Sequence, residues 1–359
     1  MAILTVNAGS SSLKLALLGA DDELLAEHEL QASQASVDDG ALAAALEDLG
    51  DIDAVGHRIV HGGARFTEAV RVDGAVVAAL RALSDLAPLH QRKSLAALEA
   101  VSHVLPGVPA VACFDTAFHA TLPAAATTYA LPRRWREHFG LRRYGFHGLS
   151  HAYASRRARE MLAPRSASRI VTCHLGAGAS LAAVRDGVSV DTTMGFTPLD
   201  GLVMATRGGS VDPGILLWLL EHGVLGESEL ADALEHDSGL VGLAGTGDMR
   251  ELLARDDEQA ELALEVYLHR LRASIAAMTA TLGGVDALVF TGGVGQHSPP
   301  IRARAAAGLG YLGVQVDARR NEKATGDAEV GAAAGSVGVL VVAAREDLEI
   351  ARQTREVLA

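Results

Sequence analysis

Six arginine and histidine residues of this chain stand at glycine turns or at the ends of predicted strands, where loops of α/β proteins carry function. They are Arg58, His61, His90, His147, His174 and Arg207. Guanidinium and imidazole groups beside small residues are suited to clamping carboxylate or phosphate oxygens. A single histidine is more often a structural residue than a catalytic one. Six such groups together predict a site for an anion in an otherwise acidic protein.

Two stretches that resemble each other would position part of this chemistry. Residues 3–18 and 170–184 each contain a short apolar, β-branched run, a turn of small residues and a second apolar run. This order predicts a β-hairpin in each stretch. A tip of Gly, Ser and Ala lets backbone N–H groups and hydroxyls converge on an anion such as phosphate. The repeat therefore predicts a duplicated fold with a phosphate site between its halves.

Glycine-rich segments elsewhere in the chain also indicate function. The loop at 192–213 is long, and loops of this length inside a compact domain are usually functional. A buried strand predicted at 287–291 leads into a glycine turn and then a helix, an order typical in general terms of nucleotide-binding folds. Another predicted strand, at 108–114, ends at Asp115 and so presents a carboxylate at a strand end.

The composition limits the classes of function. At 359 residues the chain exceeds what one hydrophobic core usually serves, so we expect two domains. A net charge of −13 and the lack of a basic tract argue against a nucleic acid partner. No apolar segment reaches the roughly 18 residues of a membrane helix and no basic leader precedes the first run, so we expect a cytoplasmic protein. Cys113 and Cys173 lie in apolar runs, which predicts buried free thiols.

Several longer motifs resemble those of the acetate kinase family. They are Asn7-Ala-Gly-Ser-Ser-Ser-Leu-Lys14, His57-Arg-Ile-Val-His-Gly-Gly63, Ala87-Pro-Leu-His90, Phe114-Asp-Thr-Ala-Phe-His119, Gly145-Phe-His-Gly148 with Ser150 and His151, and Met194-Gly-Phe-Thr-Pro-Leu-Asp-Gly201. They occur in the family's order, and the resemblance runs from residue 3 to about residue 355. It implies an α/β fold of two duplicated actin- and ribonuclease H-like domains that flank a nucleotide cleft. We expect the N-terminal domain at 1–117 plus 347–359 and the C-terminal domain at 118–346.

The resemblance implies reversible transfer of the ATP γ-phosphate to acetate by direct in-line transfer, with Mg²⁺ or Mn²⁺ as the cofactor. Phosphoryl transfer passes through a loose transition state, so charge on the equatorial oxygens must be stabilised and the nucleophile aligned. The residues that match the family's catalytic positions are Arg58, His90, Asp115, His147, His174 and Arg207. Because acetate is already ionised at neutral pH, we expect Asp115 to orient Arg58 or a metal-bound water rather than remove a proton.

The resemblance also assigns binding positions. Asn7 and Glu346 match metal-proximal residues, although Glu346 is also explained as a first-turn acid of the last helix. Matches on the nucleotide side are Ser10, Ser12, Lys14, His174, Gly176, Gly178, Asp248, Met249, Arg250, Gly292, Gly293, Val294 and Gly295. Matches on the substrate side are Arg58, Val60, Leu89, Phe146 and Pro198. One methylene in such an apolar pocket changes the free energy of binding by only about 1–3 kcal/mol, so these residues do not decide between acetate and propionate as the substrate.

The chain departs from the family pattern at three places. Ala177 and Ala179 replace the Asn and Ser of many members, which predicts a phosphate cradle of backbone amides at 174–180. Gln296-His297 follows the glycine turn, and Gln91-Arg-Lys93 follows His90, where other residues are usual.

Three functions stay open at this point. The first is an acetate kinase, with propionate as the alternative substrate and a homodimer through the second domain as the family implies. The second is a sugar or glycerol kinase of the same fold, in which Asp115 would serve as the base. The third is a catalytically silent paralogue that binds nucleotide.

Overall fold

The computed structural model describes residues 1–9, 12–31, 39–84 and 88–359, without the side chains of residues 39 and 88–90. The chain forms two compact units. The first contains Met1–Ala120, Phe146–Tyr153 and Arg345–Ala359, and the second contains Thr121–Gly145 and Ala154–Ala344.

The segment Phe146–Tyr153 belongs to the first unit, whereas the sequence-based boundaries assign it to the C-terminal domain. The main-chain N–H of Gly148 donates a hydrogen bond to the carbonyl oxygen of Asp115 at 2.9 Å. This bond fastens the segment to the end of a strand of the first unit, a tertiary contact that local sequence patterns do not report.

The first unit is built on a six-stranded mixed sheet. Its strands are β1 (Ile3–Ala8), β2 (Ser12–Leu18), β3 (Leu24–Gln31), β4 (Ala54–Ile59), β5 (Val70–Arg71) and β6 (Ala110–Phe114), in the order β3-β2-β1-β4-β6-β5. The first three strands form an antiparallel meander, β4 runs parallel to both β1 and β6, and β5 lies antiparallel at the edge. The first predicted hairpin is confirmed, with Ile3 paired to Leu18.

The second unit repeats this topology. Its strands are β7 (Arg169–Leu175), β8 (Ala179–Arg185), β9 (Val188–Thr192), β10 (Ala287–Thr291), β11 (Ala328–Glu329) and β12 (Gly338–Val341), in the order β9-β8-β7-β10-β12-β11. Again a meander of three strands is followed by two parallel strands and an antiparallel edge strand. The predicted duplicated α/β fold and the second hairpin are therefore confirmed.

Helices connect and cover the two sheets. In the described part of the chain they are α1 (Asp39–Leu49), α2 (Gly74–Ala82), α3 (Pro88–Val104), α4 (Ala124–Thr127), α5 (Arg133–Phe139), α6 (Gly148–Leu162), α7 (Pro213–Glu221), α8 (Glu227–His236), α9 (Gly239–Ala244), α10 (Met249–Ala254), α11 (Glu258–Leu282), α12 (Gly292–His297), α13 (Pro299–Ala307), α14 (Ala318–Lys323) and α15 (Glu346–Leu358). Among them, no helix has both the length and the apolar character needed to cross a membrane. Cys113 and Cys173 are buried and free, as predicted.

Packing on the two faces of the first sheet decides on which side of it each residue of β4 lies. On one face Val55 and Ile59 pack into apolar clusters that include residues of α3. On the other face α15 lies so close that a Cβ on Gly56 would stand 2.4 Å from Thr354. Because alternate residues of a strand face opposite sides, His57 lies on the α3 side and Arg58 lies on the side of α15.

Candidate functional site

Arg58 and Asp115 form an ion pair at the carboxyl ends of the adjacent parallel strands β4 and β6. The Arg58 guanidinium donates from Nη2 to Asp115 Oδ2 at 2.6 Å and from Nε to Asp115 Oδ1 at 3.0 Å. This two-point geometry fixes the plane of the guanidinium as well as its distance. The Asp115 side chain is 2% exposed and the Arg58 side chain is 15% exposed, so the carboxylate is buried while the Arg58 side chain is partly exposed.

Asn7 and Glu346 extend this pair into a network of four side chains. The third nitrogen of Arg58, Nη1, donates to Asn7 Oδ1 at 2.9 Å and lies 3.4 Å from Glu346 Oε2. Asn7 Nδ2 in turn donates to Glu346 Oε2 at 2.8 Å. Glu346 is the first residue of α15, so it occupies the first-turn position and also joins the network. The structure thus brings together four predicted site residues from three strand ends and one helix start.

The charges of this network oppose the effect of burial. Burial alone would lower the pKa of Arg58, but the charges of Asp115 and Glu346 outweigh it and hold that pKa above its ordinary value. Burial raises the pKa of Asp115, and the Arg58 guanidinium opposes the shift. Arg58 therefore stays cationic at every physiological pH, which is what binding of a carboxylate or phosphate requires.

Asp115 also positions the segment that carries His147. Its carboxylate accepts a hydrogen bond from the main-chain N–H of His147, and its main-chain carbonyl accepts one from Gly148. His147 has a φ of +57°, a left-handed conformation that costs a non-glycine residue about 1–3 kcal/mol. A Cβ on Gly148 would lie 2.1 Å from the Asp115 oxygen, so only glycine permits this approach. Such strain clusters at functional sites, which favours a role for the His147 imidazole.

His61 lies close to this network but is not a cation. Its Nδ1 accepts a hydrogen bond from the Gly63 N–H at 2.8 Å, and burial lowers its pKa to about 4. The amide of Gln91 bonds to both main-chain groups of His61, at 3.1 Å and 3.0 Å. His61 is therefore neutral near pH 7, because burial disfavours the charged form of its ring. The unusual Gln91 secures this turn.

The oxygen donors of the network fit a divalent magnesium ion. Asp115 and Glu346 carry two negative charges against the one positive charge of Arg58, and Asn7 adds an amide oxygen. Over the described residues there is no group of three or more His, Cys, Asp or Glu side chains that could hold a metal by themselves. Mg²⁺ keeps several waters and needs only one or two carboxylates together with substrate phosphates, so this sparse set of hard donors suits it.

Other predicted residues of the first unit have varied surroundings. Ser12 Oγ donates to Glu29 Oε1 at 2.6 Å, and Lys14 is exposed on β2 opposite Asn7. Val60 and Phe146 are buried, and the Phe146 ring contacts the His61 ring edge to face at 5.5 Å. Ser10 and the side chains of Leu89 and His90 lie outside the described residues.

A cavity of about 870 Å³ in the second unit is lined by six of the thirteen predicted nucleotide residues. Its predicted lining residues are Gly176, Asp248, Met249, Arg250, Gly293 and Val294. Ala177, which also lines the cavity, belongs to the backbone cradle predicted at 174–180. Sequence reasoning did not assign the remaining lining residues, which are Gly247, Leu253, Ala254, His297, Ser298 and Pro300. Its volume lies within the roughly 300–1,000 Å³ usual for cofactor sites. Each missed residue lies within five positions of a matched residue along the chain, and that nearness in sequence is the signal that would have found them.

The glycine turn that lines this cavity is held against the second hairpin. Gly292 has a φ of +77°, and a Cβ there would lie 2.7 Å from the Leu175 carbonyl oxygen. Only glycine allows β10 to turn so close to β7. The turn predicted after β10 is instead the short helix α12, because the sharp bend at Gly292 is followed at once by helical hydrogen bonding. Gly292 and Gly295 are buried.

The tip of the second hairpin is partly occupied by its own hydrogen bonds. The Gly176 N–H donates to the Gly178 carbonyl at 2.9 Å, and the Ala177 carbonyl accepts from the Ala205 N–H at 3.0 Å. The amide of Gly176 is thus already used within the predicted backbone cradle. His174 precedes this tip on β7 and is half-buried.

Asp248 caps the N-terminus of α10 and fixes the guanidinium of Arg250 beside the cavity. Its carboxylate accepts from the Arg250 main-chain N–H at 2.8 Å and from Arg250 Nη2 at 2.6 Å. The side-chain bond from Arg250 is the main reason that the pKa of Asp248 falls to about 2. The pair therefore presents one planar guanidinium and one carboxylate to the solvent side of the cavity.

Arg207 and Pro198, both predicted, meet in the second unit. Arg207 Nη1 donates to the Pro198 carbonyl oxygen at 2.8 Å. Burial lowers the pKa of Arg207, and the charge of Glu235 opposes this shift. The long loop between β9 and α7 carries both residues.

Known proteins resemble this chain in sequence and in fold. Residues 30–352 match the Acetokinase family. An acetate kinase of Deinococcus deserti is 44% identical over an alignment of 393 positions that covers 100% of this chain and 98% of that protein. The crystal structure of Porphyromonas gingivalis acetate kinase superposes with a TM-score of 0.91 at 35% identity over 100% of both chains. A propionate kinase from Francisella tularensis gives a TM-score of 0.92 at 34% identity over 99% of both chains. This chain therefore belongs to the acetokinase family.

Proposed function

We propose that this protein is an acetate kinase, which transfers the γ-phosphate of ATP to acetate and forms acetyl phosphate and ADP, reversibly and by direct in-line transfer. The observation that carries the proposal is the fixed guanidinium of Arg58, held by Asp115, Asn7 and Glu346 in a chain of the acetokinase family. A rigid cation that is still partly exposed is suited to an anionic acceptor rather than to a sugar hydroxyl.

In this proposal Arg58 binds and aligns the carboxylate of acetate. An acetate oxygen attacks the γ-phosphorus, the bond from that phosphorus to the leaving oxygen of ADP breaks, and no proton has to be removed because acetate is already ionised. Arg207 and His147 stabilise the charge on the transferred phosphoryl group, with His90 and His174 as further contacts. Asp115 acts by orienting Arg58 and the His147 main chain.

The cofactor in this proposal is Mg²⁺, or Mn²⁺ in its place, held by Asn7 and Glu346. When bound, the ion would neutralise charge on the phosphates of ATP. Asn7 Nδ2 already donates to Glu346 Oε2, and Asn7 Oδ1 accepts from Arg58 Nη1, so both oxygens are held in place by the chain itself. On the nucleotide side, the cavity lined by Asp248, Arg250 and Gly293 would receive the adenosine.

The choice between acetate and propionate rests on the apolar residues Val60, Leu89, Phe146 and Pro198. Both an acetate kinase and a propionate kinase share this fold at similar identity, so the family alone does not distinguish acetate from propionate as the substrate. We propose acetate as the preferred substrate and propionate as the alternative.

The test is formation of a hydroxylamine-reactive acyl phosphate from Mg·ATP with acetate, propionate and butyrate at matched concentrations. We expect acetate to give the highest kcat/KM. Arg58→Ala should lower kcat by on the order of 10²-fold, whereas Arg71→Ala, at an exposed arginine of β5, should leave it unchanged. A catalytically silent nucleotide-binding paralogue would form no acyl phosphate from any of the three acids.

We also propose a homodimer formed through the second unit. Helix α7 is apolar along most of its length and has no buried residue, with Ile215 54%, Leu217 57% and Trp218 53% exposed. It carries one charged side chain, Glu221, in a protein of net charge −13, so two copies of this face would meet with little repulsion. Trp218→Lys should shift the sedimentation coefficient from dimer to monomer, whereas Phe139→Lys, at an exposed residue of α5, should not.

A cytoplasmic location without a nucleic acid partner completes the proposal. The free buried thiols Cys113 and Cys173 suit a reducing compartment. The acidic charge of the chain disfavours a nucleic acid backbone.

A further inference from the structure

Arg302 of α13 is a fully buried arginine that takes no part in the chemistry described above. Its Nε donates to Asn321 Oδ1 at 2.7 Å, and its Nη2 donates to the Asn321 carbonyl oxygen at 2.8 Å. Its Nη1 donates to the carbonyl oxygens of Gly295 at 2.9 Å and Gln296 at 2.6 Å. All four acceptors are neutral oxygens, so the guanidinium is held by dipoles rather than by a carboxylate.

Burying the Arg302 guanidinium costs free energy of hydration, which the four hydrogen bonds must offset. A buried cation is destabilising unless hydrogen bonds replace its lost hydration, and burial lowers the pKa of Arg302, with the charge of Glu322 opposing. Two of the acceptors are carbonyls in the last turn of α12. A helix leaves those carbonyls without intrahelical partners, and its dipole is negative at that end. Arg302 thus caps α12 from the following helix.

The capped residues belong to a segment that lines the cavity assigned to the nucleotide. We call residues 293–300 the wall segment. Five of its residues line the cavity, namely Gly293, Val294, His297, Ser298 and Pro300, and Gly295 and Gln296 lie between them. Asn321 Nδ2 also donates to the Pro299 carbonyl at 2.9 Å, so the partner of Arg302 holds the far end of this segment.

We propose that Arg302 is a positioning residue for nucleotide binding, which fixes the wall segment in the shape that receives ATP and ADP. It acts through main-chain carbonyls and touches no substrate. The inference rests on the proposed assignment of this cavity to the nucleotide. A lysine at this position would have one ammonium group in place of the planar guanidinium that reaches four acceptors, so it would keep only some of these hydrogen bonds.

The experiment measures ADP binding by calorimetry and steady-state kinetics of Arg302→Met, Arg302→Lys and the control Arg304→Met. Arg304 lies two residues further along α13 and pairs at the surface with Glu261. Because a misplaced binding wall weakens contacts without removing them, we expect Arg302→Met to raise the Kd of ADP by about tenfold or more. Arg302→Lys should give an intermediate Kd. The KM of acetate should stay within about twofold in all variants, since the proposed acetate residues lie elsewhere.

Folded variants with an unchanged Kd for ADP would overturn the inference, and so would equal losses in ADP affinity and in the KM of acetate, because a purely structural role predicts that pattern. If Arg302→Met does not fold, Arg302→Lys and Asn321→Ala decide.

Ala254→Trp, which places a large ring in the cavity, separates the assignment of the cavity to the nucleotide from the positioning role of Arg302. If it leaves ADP binding intact, the assignment of the cavity fails; if it abolishes binding while Arg302→Lys and Asn321→Ala do not weaken it, only the role of Arg302 fails.

Discussion

Asp115→Asn tests whether this carboxylate works by holding Arg58 and His147. The substitution keeps the size of the side chain but removes its charge and one of the oxygens that accept from Arg58, at 2.6 Å and 3.0 Å. A hydrogen bond between charged groups contributes about 1.5–3 kcal/mol. If that loss falls on the transition state, kcat should drop by on the order of 10²-fold, since 1.36 kcal/mol corresponds to tenfold.

The assay is the initial rate of acyl phosphate formation, measured for Asp115→Asn alone and in the Arg58→Ala background. If Asp115 acts through Arg58, its substitution should cost much less in that background than in the wild type, because the side chain that it orients is already gone. Asp73→Asn, at the exposed cap of α2, is the control for a change of charge. Full additivity of the two losses would refute the orienting role and favour a base. A kcat within about threefold of wild type for Asp115→Asn would refute any major role.

The remaining predictions concern stability and the second hairpin. Burial lowers the pKa of His57 to about 3, so as the pH falls the unfolded chain binds a proton at this residue before the folded chain does. The free energy of unfolding should therefore fall by about 1.4 kcal/mol per pH unit below pH 6. His57→Leu should remove that part of the pH dependence in urea titrations between pH 4 and 7, whereas His103→Leu, at an exposed residue of α3, should not. Gln91→Ala should lower the free energy of unfolding by about 2 kcal/mol, since two buried main-chain groups of His61 lose their partner. Ala177→Asn should change kcat by less than about tenfold if the hairpin tip binds phosphate through its backbone.

Each of these has a contrary outcome that is easy to recognise. An unchanged acid limb in His57→Leu would mean that its ring is protonated in the folded state. A Gln91→Ala variant as stable as wild type would mean that water replaces the amide. A rise in kcat of more than about tenfold in Ala177→Asn would show that a side-chain donor is missing at that tip.

The features that sequence predicted well are those encoded locally. The two hairpins follow from β-branched runs around small residues, and in the structure Ile3 pairs with Leu18 and Ile170 pairs with Val184. The motifs around Arg58 and Asp115 placed both residues at strand ends, and adjacent parallel strands bring such ends together.

The features that sequence did not predict depend on contacts between distant segments. The clamp of Gln91 on His61 joins residues 30 positions apart. The cap of Arg302 on α12 depends on Asn321, which lies 19 positions further on. The neutral state of His61 follows from burial, which no short window of sequence reports. Such tertiary bonds satisfy buried polar groups after the fold is formed, so local patterns carry no trace of them.

The most direct measurement of the central claim is the stoichiometry of the reaction with acetate. Purified protein with Mg·ATP and acetate should release one ADP for each acetyl phosphate, both quantified by phosphorus NMR in the same sample. Arg58→Ala should suppress both signals together. Release of ADP without an acyl phosphate, or no turnover with acetate, propionate and butyrate, would contradict the proposed carboxylate kinase.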